Sequence, residues 1–337
     1  MKLWWRILAF ILLAGIWIGA PIAVRRADEI ESGMPRQESW NGTVTCGIVN
    51  SFPTVSVNRW LKNCFSDFAA AESGRVLVEL KELTAIGVEK AAAAGTLPDV
   101  LLFGQNVLGA PETLLEPAPE MPQLRQELRG LGGTYAAPIA EGGYVLLGNR
   151  ALLESAGWSD GMTEAQTAAL LRENGLTAAA PQMNYTDPAS CIGAAFPVET
   201  RRSHTQLWAE FVLDQRHALY AATQRELIRM EALQKAGRGF ETVVLVPEEP
   251  VTDQVLLFGI VRPELTARQS GLAQRRACIE RLREWLLSDA AQGKLDQAVL
   301  FPVTESGWLY EAETALGRME RSLRGARVRT EENRGRT

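Results

Sequence analysis

"AAAAGTLPDVLLFGQN", residues 91–106, contains one whole step of a layered α/β architecture. The alanine run favours helix. Gly95 can end that helix in a left-handed conformation, and Pro98 cannot continue it and holds Leu97 extended. "DVLLFG" (99–104) then reads as a short strand. Its four consecutive apolar residues fit a central strand buried on both faces. "GQN" (104–106) is a polar loop at the strand's carboxyl end. Asp99 starts the strand and is expected to bond nearby backbone, as short carboxylates do.

The neighbouring segments repeat this alternation. "TVTCGIVN" (43–50) reads as a strand. "SVNRWLKNCFSDFAAAES" (56–73) reads as a helix with Val57, Trp60, Leu61, Cys64, Phe65 and Phe68 on one face. Gly74 suits its C-terminal cap. "RVLVELKEL" (75–83) is a second strand, and a short helix covers 84–94. The order βαβαβ predicts a parallel sheet covered on both faces.

Further on, 111–133 reads as loop with helical turns and "YAAPIAEGGYVLLGN" (135–149) as extended. Helices are expected over 150–157, 162–174, 204–214, 224–236 and 267–287. The last carries Leu272, Ile279, Leu282, Trp285 and Leu286 on or near one face, and Trp285, like Trp60, belongs to a core. "HALYAAT" (217–223), "FETVVLVPEEP" (240–250) and "QVLLFGIVR" (254–262) supply strands, and 175–203 is irregular. Ser288 is placed to cap a helix starting in "SDAAQGKLDQ". After Trp308 come a last helix, to 319, and an arginine-rich tail (320–337) with the charge pattern of a solvated, disordered segment.

At 337 residues the chain has room for about two domains. A net charge of −5 provides no electrostatic footprint for nucleic acid. Residues 7–24, "ILAFILLAGIWIGAPIAV", carry no charge and would span ~27 Å as a helix, close to a bilayer's hydrocarbon thickness. Residues 1–26 are therefore expected to be an uncleaved transmembrane anchor rather than a cleaved signal, and 27–42 a linker. Positive charge on both flanks leaves the orientation open. Cys46, Cys64, Cys191 and Cys278 form no C-x-x-C and no cysteine–histidine cluster, so a structural zinc site is not expected. Outside the cell three full disulfide pairings stay open, alongside plain buried thiols.

Catalytic motifs are missing. The two histidines, His204 and His217, belong to no H-E-x-x-H, and there is no G-x-S-x-G or phosphate-binding G-x-x-x-x-G-K-[ST]. "GLGG" (130–133) does not complete a dinucleotide fingerprint. Neither an enzyme nor a cofactor is expected.

Four segments in order, "WLKNCFSDFAAAESGRVLVEL", "AAAAGTLPDVLLFG", "YAAPIAEGGYVLLGNRALLESAG" and "WLLSDAAQGKLDQAVLFPV", resemble the extracellular solute-binding proteins of bacterial ABC importers, most of all the sugar-binding family. The resemblance covers most of 43–303. It implies a two-lobed, type II periplasmic-binding-protein-like α/β fold with hinge-crossing strands. Lobe one would be 43–137 with 262–303, and lobe two 138–261. "YAAPIAEGG" would be the first crossing and "QVLLFGIVR" the return. The implied role is to bind a small solute, foremost a carbohydrate, on the extracytoplasmic face of the membrane and deliver it to an ABC permease. The chain departs from the family in two respects. An apolar anchor replaces the lipid-bearing cysteine, and 158–203 is shorter and less regular. Two alternatives remain: a sensor or interaction domain without transport duty, and an enzyme on the same fold.

Ligands of open α/β sheets bind beyond the strands' carboxyl ends, where the topology switches. That places "NSFPTVS" (50–56) and "GQN" in one cleft, with Asn50, Ser51, Gln105 and Asn106 as polar candidates. Sugars need planar amides for paired hydrogen bonds and aromatic rings for their flatter apolar faces. Phe52, Tyr144, Trp208, Tyr220 and Trp308 are the aromatic candidates. Trp208 fits the apolar face of its helix equally well, whereas Phe52 and Trp308 lie in loops.

Overall fold

Two separate five-stranded sheets organise the molecule. The structure, a computed structural model, describes residues 40–49, 57–181, 186–191, 196–200, 202–248, 250–267 and 270–328. The N-terminal apolar segment, residues 50–56 and the end of the tail lie outside those residues. Among the described residues no helix is long and apolar enough to cross a membrane.

The first sheet has the order β2-β1-β3-β11-β4, from β1 (Gly42–Val49), β2 (Val76–Leu83), β3 (Val100–Gly104), β4 (Ala137–Glu141) and β11 (Val255–Ile260). β3 is the middle strand, and Val100 to Phe103 are buried throughout. The pairs β1–β2 and β1–β3 are parallel, as the βαβαβ order predicts. β11 runs antiparallel to both β3 and β4, because it re-enters the sheet from the far side of the molecule. The sheet is therefore mixed rather than wholly parallel.

Helix α1 (Val57–Ala71) buries the six residues of its predicted face and packs on β2. Gly74 (φ 69°) ends it, and its N–H bonds to the Ala69 carbonyl at 2.8 Å. Helix α2 (Ala85–Ala93) is capped by Thr84 and ended by Gly95 (φ 62°). Helix α7 (Leu272–Leu286) is shorter than the sequence suggests. It starts at Gly271, which is left-handed, and leaves Leu272 exposed and Trp285 half-buried against Phe68. Ser288 precedes a short helical turn, but its hydroxyl donates to the Trp285 carbonyl at 2.6 Å and caps nothing. Cys46, Cys64 and Cys278 are buried free thiols, and burial pushes the Cys278 thiol up to about 11.

Asp99 sews this sheet together at the start of β3. Its Oδ2 accepts from the Thr45 N–H at 2.7 Å and the Thr45 hydroxyl at 2.8 Å, and Arg275 of α7 reaches Oδ1 at 3.4 Å. A carboxylate 4% exposed with these partners is architecture, as its position suggested.

The second sheet has the order β7-β6-β8-β5-β9, from β5 (Val145–Asn149), β6 (Ala178–Ala179), β7 (Val198–Glu199), β8 (Leu219–Ala222) and β9 (Thr242–Leu245). Alternate residues of its strands enter two cores. Leu146, Leu219 and Ala221 face α3 (Arg150–Ser155) and α4 (Glu164–Glu173) through Leu153, Ala168 and Leu171. Leu147, Tyr220 and Ala222 face α5 (His204–Val212), α6 (Gln224–Lys235) and α8 (Ala315–Leu323) through Phe211, Leu227 and Leu323.

The expected tail needs correction. Glu320, Leu323 and Ala326 are buried, and β12 (Arg327–Val328) pairs in parallel with β10 (Val251–Thr252). The arginines between them hid an apolar face at helical spacing. The sheets also divide beyond the expected boundaries at 138 and 261. β4 and β11 both belong to the first sheet, so the chain passes between sheets at Gly142–Gly143 and at Asp253–Gln254.

Candidate functional site

The two passages are hydrogen-bonded to each other. Gly142 N–H donates to the Gln254 carbonyl at 2.7 Å, and the Thr252 hydroxyl donates to the Gly142 carbonyl at 3.0 Å. Gln254 Nε2 reaches the Gly143 carbonyl at 3.3 Å, and Tyr144 Oη donates to Asp253 Oδ1 at 2.7 Å. The other oxygen of Asp253 accepts the Asp187 N–H of the second lobe at 2.8 Å. Glycine is needed at 142 and 143 for close approach. A β-carbon on Gly143 would meet the Leu323 side chain at 2.7 Å, and one on Gly142 would meet two glutamine amides.

A third passage follows β11 and α7. Phe301 exchanges two backbone hydrogen bonds with Glu141 (2.9 and 3.1 Å) and packs its ring in the second lobe's core. Beneath it the Glu141 carboxylate, wholly buried, pairs with Arg125. Loss of hydration pushes the Glu141 pKa up to about 7, against the pull of Arg125.

The carboxyl end of β3 meets these passages. Leu256 pairs with Gly104, so Gln105 and Asn106 turn beside the start of β11. Both are half-buried, and Gln105 Oε1 is buried without a hydrogen-bond partner. On the second lobe, Ala222 pairs with Val145, which brings the start of α6 to the same end. Thr223 and Glu226 form a capping box there, and His204 Nε2 bonds Glu226 Oε1 at 3.0 Å. Burial would raise the Glu226 pKa, but the bonds from His204 and Thr223 outweigh it and hold it low.

The remaining predicted residues are dispersed. Ser51 and Phe52 lie outside the described residues. Tyr144 stands at the first passage with its hydroxyl on Asp253, as a brace between passages rather than an open ring face. Trp208 and Tyr220 are core residues, with ring centroids 5.2 Å apart and Phe211 packed against both. Tyr220 is 0% exposed because β8 is the middle strand of its sheet, so it presents no face to a cleft. Trp308 is 48% exposed, but Arg324 (3.7 Å) and Arg321 (5.0 Å) lie over its ring. Sequence reasoning missed Arg125, Glu141, Gln224 and Gln254. The T-x-x-E pattern at 223–226 marks the helix start beside Gln224, and the crossing segment contains Gln254, but neither singles out the amide.

A cavity of about 430 Å³ lies under the 118–138 segment, walled by Met121, Leu124, Arg129, Leu131 and Pro138. Its walls come from one segment alone, so movement between the sheets would not close it. Among the described residues no group of three or more His, Cys, Asp or Glu is placed to hold a metal ion.

No protein-family model and no curated protein matches the sequence. Solved structures do match its fold. The cyclic α-maltosyl-1,6-maltose binding protein from Arthrobacter globiformis aligns with a TM-score of 0.59 and 14% identity, over 86% of this chain and 88% of that one. An ABC substrate-binding protein from Listeria monocytogenes, in complex with cycloalternan, aligns at 0.57 and 10%, over 88% and 90%. The GacH receptor of Streptomyces glaucescens GLA.O, solved unliganded and with acarbose, aligns at 0.56 and 16%, over 86% and 88%. The chain has the two-lobed periplasmic-binding-protein fold of these proteins.

Proposed function

We propose that this chain is the extracytoplasmic solute-binding component of an ABC importer, and that its solute is a carbohydrate held between the lobes by hinge closure. One observation carries the reading. Two separate sheets are joined by passages bonded to each other, and Gln105 and Asn106 stand where the first sheet's middle strand reaches that junction. Amides in such a cleft suit hydroxyl-rich ligands. The ligands named for the three similar structures, all of them oligosaccharides or analogues, support the class.

Ser51, Phe52 and Trp308 complete the proposed site. Residues 50–56 follow β1 in the sequence, and Trp308 follows the third passage. The lobe built on the first sheet (β1 to β4 with β11) and the lobe built on the second (β5 to β9) close on each other, with the passages between them as the hinge. The uncharged stretch 7–24 anchors the chain and raises its effective concentration at the permease. An anchored chain stays in the membrane fraction after alkaline carbonate washing, whereas a cleaved or loosely attached one is released.

The binding claim is tested by a melting-temperature screen of the full chain in a non-glycosidic detergent. Maltose, maltotriose, raffinose and cellobiose are compared with amino acids and polyamines. A ligand at about 100 times its Kd adds roughly 2.7 kcal/mol, a shift of several degrees. Stabilisation by a carbohydrate supports the reading. Stabilisation by amino acids or polyamines alone ends the carbohydrate assignment and leaves solute binding in place.

A further inference from the structure

The longest edge strand in the two five-stranded sheets is open. β2 (Val76–Leu83) closes the first sheet on one side and runs for eight residues. The other edges are short or covered, which is how sheets commonly avoid pairing. β7 has two residues and β9 four, while β4 is buried and bonded at Glu141 to Phe301. Among the described residues no strand pairs with the outer side of β2. Leu77 is 55% exposed there, and Lys81 and Glu82 are exposed as well.

The ladder on the inner side fixes what the outer side offers. Gly42 is level with Val76, and its N–H donates to the Arg75 carbonyl at 3.2 Å. Main-chain groups alternate in direction along a strand. The odd-numbered residues of β2 therefore turn theirs toward β1, and Val76, Val78, Leu80 and Glu82 turn theirs outward. The side chains of Leu77, Glu79, Lys81 and Leu83 share one face.

This pattern is complementary to itself. A second β2, antiparallel about a two-fold axis, must set each residue opposite one of the same direction, so the axis passes through a residue. With the axis at Leu80, Leu80 faces Leu80 and Val78 faces Glu82, and each such pair exchanges two main-chain bonds. Glu79 then faces Lys81, and Leu77 faces Leu83. These are the non-hydrogen-bonded positions, where Cα atoms stand about 4.5 Å apart and side chains are closest. Every neighbouring axis opposes like charges. An axis at Glu79, Lys81 or Glu82 sets that residue against itself, and one at Val78 sets Arg75 against Lys81. Among the described residues neither Glu79 nor Lys81 has an ion-pair partner in its own chain.

We propose that two copies of this chain join through β2, antiparallel with Leu80 on the two-fold axis, so that their first sheets become one continuous sheet whose register is set by two Glu79–Lys81 pairs. The contact uses only the lobe of the first sheet and leaves the second free to turn. Charged residues on an edge also serve to keep a strand solitary, and a monomer is the competing outcome.

Sedimentation of the full-length chain in density-matched detergent, over a range of concentrations, decides between them. The wild type is expected to show a monomer–dimer equilibrium. Lys81→Glu or Glu79→Lys alone should raise the dimer dissociation constant about tenfold or more, because each dimer loses two favourable cross-strand pairs and gains two repulsive ones. The double exchange, Glu79→Lys with Lys81→Glu, should restore it. Oxidative cross-linking checks the register. Leu80→Cys should form a disulfide-linked dimer above the wild-type background. Val78→Cys should not, since its two copies lie about 13 Å apart along the strands. Should Leu80→Cys fail to fold, the charge exchanges decide alone. A chain that stays monomeric overturns the proposal. A dimer that ignores the single exchanges, or that the double exchange does not restore, overturns it too and places association elsewhere on the chain. Equal cross-linking at positions 78 and 80 rejects the register and the pairing with it.

Discussion

Glu141 gives the hinge a pH response whose sign follows from its burial. Its pKa stands at about 7 in the folded chain against an ordinary 4.5. As pH rises, the unfolded chain therefore gives up this proton first. The group's contribution to stability is fully present below about 4.5, declines through the interval and is lost above about 7. Glu141→Gln keeps the shape and stays neutral. Its urea midpoint should lose the decline that the wild type shows between about pH 5 and about pH 7.5, a window set by that shift. A variant that declines as steeply as the wild type would sink the account. Glu141 has no sequence signature, since a carboxylate in "PIAEGG" looks solvated until Phe301 and Arg125 close over it. Asp99 was legible because a short carboxylate opening a buried strand has few partners besides nearby backbone. Trp208 and Tyr220 were not, because an aromatic ring on an apolar face has the same spacing whether it lines a core or a cleft.

Among the elements, α6 shows how local chemistry places a site. Thr223 Oγ1 accepts the Arg225 N–H at 3.2 Å, and Glu226 Oε2 accepts both the Thr223 N–H (3.0 Å) and its hydroxyl (2.6 Å). Thr223→Ala removes the cap and one partner of a buried carboxylate. The expected loss is about 2 kcal/mol, the upper end for caps, read as a lower urea midpoint at unchanged slope. Thr223→Ser should recover most of it. The helix was readable from "TQRE" and its apolar spacing, and its bounds agree with the sequence to one residue. "YAAPIAEGGYVLLGN" was read correctly as extended, yet it holds two strands in two sheets. The break at Gly142–Gly143 shows only when the packing around those glycines is known. The tail misled in a different way. Its arginine count outweighed Leu323, which continues the helical face of Leu316 and Met319 at a spacing of three and four residues.

At the scale of the whole molecule, the resemblance conveyed the two-lobed plan before any contact was known, while the narrowness of its pivot comes from side chains. The passages at 142–143 and 253–254 are bonded to each other, so both move together when one sheet turns against the other. A ligand that touches both lobes favours whichever arrangement lets it reach both. Small-angle scattering of the full chain in contrast-matched detergent should show a smaller radius of gyration at saturating carbohydrate, and no change with a sugar that does not raise the melting temperature. Tyr144→Phe separates the brace from the motion. It deletes the 2.7 Å bond to Asp253 and keeps the ring. A hydrogen bond to a charged group contributes about 1.5–3 kcal/mol, so the ligand-free variant should unfold at lower urea while still contracting with sugar. Binding without contraction in the wild type would leave a rigid sugar-binding protein, and hinge closure would then have no part in how it works.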